Sequence, residues 1–313
     1  MFETPILFIV FNRPDVTVRV FKEIKKQKPK FLFIAADGPR VGFEDDIDKC
    51  RKVREIVLNS VDWDCEIKTL FRNKNLGCGK AVSGAIDWFF ENVEMGIILE
   101  DDCLPNHSFF GFCKILLERY KHEDQVYAIS GNNFQDGIQR GEASYYFSNY
   151  GFIWGWATWR RAWNRYDYKL KDLDKFKKQK LIKRIDKRRN FQSYWYQIFD
   201  EVYQNKIDTW DYQWLFAIWY NKGMVALPNV NLVSNIGFGE EATHTIDYTP
   251  LSKVPTKNVG LIRHPKNIEV NKKADKYLTE KVYGIIEQNN ILIRRFIPDI
   301  IKKLIAKLLK ITR

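Results

Sequence analysis

Short apolar runs alternate with amphipathic segments over the first hundred residues, and this alternation constrains the fold more than any other feature. The runs cover residues 5–10, 31–36, 65–71 and 97–99. The runs 5–10 and 97–99 are typical of strands buried on both faces, and 31–36 and 65–71 predict two further strands. The segments between the runs carry apolar residues at helical spacing. The pattern predicts an α/β fold with a mainly parallel sheet flanked by helices.

The second half of the chain is less regular. Residues 126–130 and 145–147 predict two more strands, the latter antiparallel, and 224–232 predicts one or two short strands, so the sheet should be mixed. The lysine-rich stretch 169–190 is typical of solvated helices. Residues 234–265 are polar and contain glycine, which favours a loop.

Charge and cysteine usage narrow the classes of function. The formal net charge of the 313 residues is +12, which favours anionic partners such as nucleic acid, phosphate-bearing substrates or an anionic membrane surface. The five cysteines show no metal-binding spacing, which argues against a zinc site and against a disulfide framework. We recognise no signal peptide and no membrane-spanning run, and expect a cytoplasmic protein.

The last stretch, residues 291–313, combines an apolar face of Ile and Leu with a Lys- and Arg-rich face. A basic amphipathic helix of this kind is typical of a segment that lies in a membrane interface. Docking on its own domain or on a partner is the alternative. We therefore expect one domain over 1–265 and a helical, membrane-surface-associating tail over 266–313, with the protein peripheral at the inner face of the membrane.

Three carboxylates follow the fourth apolar run directly: Glu100, Asp101 and Asp102. Open α/β sheets bind their ligands just outside the carboxyl ends of their strands. Adjacent carboxylates repel one another, so such a trio needs a compensating cation, and Mg²⁺ or Mn²⁺ take carboxylate and phosphate oxygens. The stretch predicts a metal site for a diphosphate. An acidic helix start, capped by Asp102 or Asn106, is the alternative.

The other predicted strand ends also carry groups that suit a nucleotide. Arg and Lys neutralise phosphate, while Asp accepts hydrogen bonds from a base or ribose. Gly77 and Gly79 allow close backbone approach at a helix start, where free N–H groups favour anions. Asp37 within Asp-Gly-Pro also fits a plain turn, and Lys80 also fits a surface lysine. The candidate donor-binding residues are Asn12, Arg13, Asp37, Arg72 and Lys80.

Two further candidates lie downstream. Asp211 stands between Trp210 and Tyr212 at the start of an apolar helix, where a carboxylate among aromatic rings can act as a general base; a helix N-cap is the alternative. His244, in a polar loop, is either a contact of the metal or diphosphate or a surface residue. A cluster of tryptophans, part of it expected in the core, offers a platform for a sugar acceptor: Trp154, Trp156 and Trp159.

Taken in order, these motifs resemble the GT-A nucleotide-sugar glycosyltransferases, in particular the bacterial group similar to N-acetylglucosaminyltransferase I. The motifs are Phe-Asn-Arg-Pro, Ala-Asp-Gly-Pro, Asn-Leu-Gly, Leu-Glu-Asp-Asp, Gly-Trp-Ala-Thr-Trp and Trp-Asp-Tyr-Gln-Trp, within about residues 4–245. The resemblance implies a GT-A fold. It also implies inverting, metal-dependent transfer of a sugar from a nucleotide-diphosphate donor, such as a UDP-sugar, to a hydroxyl group. We expect a surface-glycan or lipid-linked acceptor.

The resemblance also implies roles for single residues. Asp102 would hold Mn²⁺ or Mg²⁺ on the donor diphosphate, and Asp101 and Glu100 would contact the ribose or sugar. Arg13 and Asp37 would flank the uracil.

The catalytic base implied by the resemblance is Asp211. Tyr212 and Gln213 depart from the family segment, in which a second Asp and a Trp follow. Asp208 is therefore the alternative base.

Two other classes of function compete with this interpretation. A sugar-nucleotide nucleotidyltransferase should carry a Gly-rich, Arg/Lys signature after the first strand, which residues 11–15 lack. A non-enzymatic membrane- or nucleic-acid-binding protein would account for the charge. However, much of the positive charge lies in 169–190 and 291–313, away from the predicted site, so we expect no nucleic-acid partner.

Overall fold

A computed structural model of the chain describes residues 2–238, 251 and 254–286. The strands are β1 (Ile6–Val10), β2 (Phe31–Ala36), β3 (Glu66–Phe71), β4 (Met95–Glu100), β5 (Cys103–Pro105), β6 (Val126–Ser130), β7 (Tyr145–Ser148), β8 (Trp156–Trp159), β9 (Met224–Pro228) and β10 (Val233–Asn235). The helices are α1 (Pro14–Gln27), α2 (Glu44–Asn59), α3 (Cys78–Asn92), α4 (His107–Arg119), α5 (Arg160–Trp163), α6 (Leu173–Lys178), α7 (Arg189–Tyr203), α8 (Asp211–Tyr220) and α9 (Lys272–Lys281).

Eight of the strands form one mixed sheet in the order β3-β2-β1-β4-β8-β6-β9-β7. The first four in that order are parallel, and so are β6 and β9, whereas β8 and β7 run antiparallel to their neighbours. β5 and β10 pair separately as a short antiparallel ladder. The predicted α/β class, with a mainly parallel sheet flanked by helices, is confirmed.

Helices cover both faces of this sheet. Apolar residues of α1, α2 and α4 pack on one face, and those of α3, α7, α8 and α9 pack on the other. The second face carries an aromatic core in which Trp156, Trp195, Trp214 and Trp219 are fully buried. Burial of this much aromatic surface is the main stabilising contribution on that face.

The lysine-rich stretch 169–190 differs from the predicted helices. Before α7 begins at Arg189, it contains the short α6 and a 3₁₀ turn over Leu181–Arg184. Phe176 and Ile182 are fully buried and Leu170 nearly so, because apolar residues at irregular spacing fix the segment to the core instead of one helical face.

Within the predicted tail, the structure describes residues up to 286. Ala274 and Leu278 of α9 are fully buried. The Asp275 carboxylate accepts hydrogen bonds from Ser148 Oγ at 2.5 Å and from Asn149 Nδ2 at 2.7 Å. Residues 291–313 lie outside the described part, so the membrane-surface tail and the division at residue 265 stay predictions. No described helix is long and apolar enough to span a bilayer.

Candidate active site at the carboxyl edge of the sheet

The parallel strands bring the predicted site residues to one edge. In the sheet register Ile9 lies opposite Glu100, and Val10 lies opposite Ala36. The residues that follow β1, β2 and β4 therefore emerge side by side, as expected for parallel strands. We call this rim, where β1 to β4 end, the carboxyl edge.

Arg13 is the counter-ion of the acidic run. Its guanidinium forms an ion pair with the Asp101 carboxylate, and Arg13 Nη2 lies 3.1 Å from Asp102 Oδ2. The Phe11 N–H also donates to Asp101 Oδ2, at 3.4 Å. Asp101 is only 3% exposed; burial raises its pKa, and the positive charge of Arg13 opposes that rise. Arg13 thus lies among the carboxylates, where it holds two strand-end loops together.

The cluster carries more negative than positive charge. Burial raises the pKa of Glu100, and the charges of Asp102 and Asp101 raise it further. Burial also raises the pKa of the Cys78 thiol, with further contributions from Glu100, Asp211, Asp208 and Asp102. The half-buried Cys78, at the start of α3, therefore lies near carboxylates from two stretches of the chain, residues 100–102 and 208–211.

The predicted divalent cation fits this arrangement with Asp102 as its ligand. Within residues 2–238 and 254–286, no three His, Cys, Asp or Glu side chains form a complete metal cage. Mg²⁺ and Mn²⁺ that carry a diphosphate need only one or two protein carboxylates, since phosphate oxygens and water supply the remaining ligands. The half-buried Asp102 carboxylate, in a cluster with excess negative charge, meets that requirement.

A segment missed by the sequence analysis covers the acidic cluster. The Ile236 N–H donates to the Asp102 carbonyl at 2.8 Å. A Cβ on residue 237 would come within 2.2 Å of Asp102 Oδ2 and 2.7 Å of Arg13 Nη1, so a larger residue there would displace the side chain of Asp102 or of Arg13. Gly237 lies in a stretch that reads as polar loop, and a single glycine in such a stretch gives no signal of its role.

Asp37 fastens the loop after β3 to the end of β2. Its carboxylate accepts a hydrogen bond from the Leu76 N–H at 2.9 Å. Burial raises the pKa of Asp37, while backbone N–H groups, that of Leu76 foremost, oppose the rise. A Cβ on residue 38 would approach the backbone of Lys74 to 2.5 Å. Asp37 therefore shapes the edge of the site whether or not it also contacts a nucleotide.

The two basic candidates after β3 differ in their surroundings. Arg72 is half-buried and donates from Nη1 to the Ala81 carbonyl at 3.1 Å; burial lowers its pKa, and the charge of Asp37 opposes this. Lys80 is exposed on the first turn of α3 and forms no ion pair with any residue that the structure describes. Arg72 thus belongs to the framework of the loop, whereas Lys80 projects into solvent.

The start of α3 is already occupied by a protein carboxylate. The Gly79 N–H donates to Asp208 Oδ1 at 3.0 Å. Cβ atoms on residues 77 and 79 would come within 2.5 and 2.7 Å of Asp208 oxygens, and Gly77 has a φ of +79°. These glycines allow close approach, as expected, but the partner of the Gly79 N–H is Asp208 and not a free anion site.

Asp211 is the first residue of α8, whose N-cap position is Trp210. Thr209 Oγ1 donates a hydrogen bond to Asp211 Oδ1. The N-cap alternative for Asp211 is therefore wrong, because its carboxylate does not occupy the capping position. Asp208 accepts its hydrogen bond from the start of α3, so the two candidate bases differ in the element that each contacts, and the role of Asp211 as base stays a prediction.

Asn12 borders a cleft between the starts of α1 and α2. Its side-chain amide donates to Asp46 Oδ1 at 2.7 Å, and Arg40 Nε donates to Asp46 Oδ2 at 2.6 Å. The cleft has a volume of about 1000 Å³, and Arg13 also lines it; this size suits a nucleotide. The sequence analysis missed Asp46 because α2 begins with three consecutive acidic residues, and nothing in the sequence distinguishes the one that is buried. Arg40 was missed with it, because its role depends on the contact with Asp46.

Two remaining candidates have different outcomes. Trp156 and Trp159 are buried in β8, so of the predicted acceptor platform only the half-buried Trp154 is accessible; its ring centroid lies 5.7 Å from that of Phe238. His244 lies outside the described residues, and its predicted role stays a prediction.

Comparisons with known proteins find similarity of structure only. No protein-family model and no curated protein sequence matches the chain. S. aureus TarS (1-349) aligns with a TM-score of 0.38 at 10% identity, over 72% of this chain and 58% of that chain. A cytidylyltransferase from Leptospira borgpetersenii gives 0.33 at 13% identity, over 56% and 65%. Mouse xyloside xylosyltransferase 1 gives 0.33 at 11% identity, over 69% and 81%. Scores this low do not assign the chain to a family.

Proposed function

We propose that this chain is an inverting, metal-dependent glycosyltransferase of the GT-A type that uses a nucleotide-diphosphate sugar, with UDP as the expected nucleotide. The observation that carries the proposal is the acidic cluster at the carboxyl edge. Arg13 pairs with Asp101 and Asp102, and the charges of Glu100 and Asp102 act on Cys78 together with those of Asp211 and Asp208. The resemblance of the ordered motifs to nucleotide-sugar glycosyltransferases supports the same conclusion.

The donor would lie across the ends of β1 to β4. Arg13 and Asn12 border the cleft beside α1, and Asp37 lies at the neighbouring strand end. Arg13 would orient the donor while remaining paired with Asp101. A guanidinium fixed in this way is preorganised, so little reorganisation accompanies the reaction.

Asp102 would hold a divalent cation, which supplies neutralisation of the departing diphosphate when bound. Glu100 and Asp101 would contact the ribose or sugar of the donor. Lys80, exposed near the start of α3, and Arg72 would add positive charge beside the same loop.

Asp211 would accept the proton of the acceptor hydroxyl as its oxygen attacks the anomeric carbon from the face opposite the diphosphate. The hydrogen bond from Thr209 fixes the orientation of the carboxylate. Attack from that face forms the new glycosidic bond with inversion and releases the nucleoside diphosphate. We expect the acceptor to be a lipid-linked or surface-glycan precursor.

The test is incubation of the full chain with UDP-sugars and Mn²⁺, with UDP and pyrophosphate quantified separately. We expect slow, Mn²⁺-dependent release of UDP by hydrolysis, lost in Asp102→Ala and kept in Asp64→Ala, whose carboxylate is exposed before β3. Pyrophosphate release from a sugar phosphate and UTP would instead indicate a nucleotidyltransferase. Turnover that Asp102→Ala leaves unchanged would refute the metal assignment.

A further inference from the structure

Residues 169–190, which we call the basic segment, carry a large excess of exposed cationic side chains. The segment contains eleven Lys or Arg residues and three Asp residues. Nine of the eleven are exposed, and these nine form no ion pair with any residue in the described ranges. The two exceptions are Lys177, paired with Asp200, and Arg188, paired with Asp186.

The apolar side chains of the basic segment all turn inward. Leu173 and Phe176 of α6 and Ile182 of the following turn are buried in the aromatic core. The cationic side chains therefore project from a segment whose backbone is fixed to the core. Its aromatic residue, Phe176, is buried. Proteins that bind single-stranded nucleic acid combine positive charge with stacking aromatics. The basic segment lacks the second component, whereas attraction to an anionic bilayer needs charge alone.

One end of the basic segment lies beside the start of α3, near the candidate site. The other end contacts α9 and Ile286, which belong to the described part of the predicted tail. Tyr168, just before it, reaches the start of α3, since a Cβ on residue 79 would lie 2.6 Å from Tyr168 Oη. At the other end, Asn190 Nδ2 donates to the Ile286 carbonyl at 2.6 Å. Arg188 also lies 3.4 Å from Glu280 of α9.

A cleft at this second end brings basic residues of the segment close to basic residues of α9. It has a volume of about 450 Å³ and lies between the end of the basic segment and α9. Its lining includes Arg184 and Lys187 from the basic segment and Lys272 and Lys276 from α9, together with the carboxylates of Asp186 and Asp275. Lys276 also lies 3.8 Å from Glu280. Cations of the basic segment and of α9 therefore lie together at this end of the segment.

We propose that the basic segment is a docking surface for an anionic lipid bilayer. It would act together with the predicted membrane-surface segment 291–313. With two points of attachment, the candidate active site would be kept close to the leaflet. A single weak membrane signal gives reversible binding, and a second signal makes it stable. Basic residues gain from the bilayer only when they lie within about 10 Å of it. The proposal does not depend on the identity of the sugar donor.

The test compares the full chain with the triple variant Lys183→Glu, Arg184→Glu, Lys187→Glu. Binding is measured by co-sedimentation with vesicles of phosphatidylglycerol and phosphatidylcholine, with pure phosphatidylcholine as reference. We expect the variant to need about 10- to 100-fold more anionic lipid for half-maximal binding. A second variant with Gln at the same three positions should shift in the same direction by less. It keeps the test valid if the Glu variant misfolds.

The matched control is Arg19→Glu, Lys22→Glu, Lys114→Glu, which removes the same charge from α1 and α4 on the other face of the sheet. This control should bind anionic vesicles nearly as the unmodified chain does. An equal loss in both triple variants would overturn the proposal, because only net charge would then matter. Unchanged vesicle binding in the 183/184/187 variants, with loss of binding to an RNA oligonucleotide, would also overturn it and assign the segment to nucleic acid.

Discussion

The guanidinium of Arg13 lies between the carboxylates of Asp101 and Asp102, and this contact joins the loop after β1 to the loop after β4. Asp101 is almost fully buried. A buried carboxylate without its counter-ion is strongly unfavourable. The same cation that stabilises the fold at this edge therefore also sets the charge that a bound diphosphate and metal would meet.

We expect Arg13→Ala to lower the free energy of unfolding by about 3–5 kcal/mol, because it leaves Asp101 buried and unpaired. Urea denaturation followed by circular dichroism measures this change. The control is Lys25→Ala, which removes a solvent-exposed ion pair with Asp62 at 2.8 Å and should change stability by less than about 1 kcal/mol. Equal effects of the two substitutions would show that Arg13 is not the counter-ion of a buried charge.

Asp211→Asn should lower kcat by about 10²- to 10⁴-fold while the donor KM changes little, since the carboxylate acts only on the acceptor proton. Asp208→Asn should instead lower stability by about 1 kcal/mol and raise the donor KM, because it weakens the hydrogen bond to Gly79 at the start of α3. Steady-state kinetics with a hydroxyl acceptor, or donor hydrolysis in its absence, separates these effects. A larger loss of kcat in Asp208→Asn, with normal stability, would transfer the role of base to Asp208.

Gly237→Ala should disturb the acidic cluster, because the new Cβ would lie 2.2 Å from Asp102 Oδ2. We expect at least a tenfold loss of Mn²⁺-dependent UDP release and a loss of stability of about 1–3 kcal/mol. Gly111→Ala is the control: its Cβ meets nothing within 4 Å, and alanine inside α4 should stabilise the protein by about 0.5–1 kcal/mol. Full activity of Gly237→Ala would show that residues 235–238 do not shape the site.

Asp275 should make stability depend on pH. Burial raises its pKa from 3.8 to about 6, although hydrogen bonds from Ser148 and Asn149 oppose the rise. Because the folded state resists ionisation, the contribution of Asp275 to stability is lost as pH rises from about 4 to above 6. Asp275→Asn does not titrate, so its unfolding free energy relative to wild type should rise by about 2–3 kcal/mol between pH 4 and pH 7.

Thermal or urea unfolding at several pH values measures this difference. The control is Asp174→Asn, an exposed residue of α6, whose difference from wild type should stay constant over the same range. A constant difference for Asp275→Asn as well would show that this carboxyl group titrates normally in the folded protein.

The sheet and its polar edge could be predicted from sequence because each element carried its own local signal. The buried runs around Phe8, Ile34 and Leu99 could form only interior strands, and parallel pairing then required Arg13, Asp37 and Asp102 to meet at one edge. Burial at both faces and a fixed chain direction leave few alternatives.

Other parts of the site depend on contacts between residues distant in sequence. Asp208 caps a helix that begins at Cys78, and Gly237 covers an acid more than a hundred residues away. Neither residue differs locally from an ordinary loop residue. Trp156 and Trp159, in contrast, carry a local signal that fits two roles, a sugar platform or the core. They are buried because β8 pairs with β4 on one side and β6 on the other, which the sequence does not show.

Isothermal titration calorimetry of UDP-sugars, with and without Mn²⁺, tests the central claim most directly. We predict heat of binding for at least one UDP-sugar that requires Mn²⁺ and disappears in Asp102→Ala, while the exposed-site variant Asp64→Ala binds normally. Binding of the same strength without a divalent cation, or binding that survives in Asp102→Ala, would contradict the account.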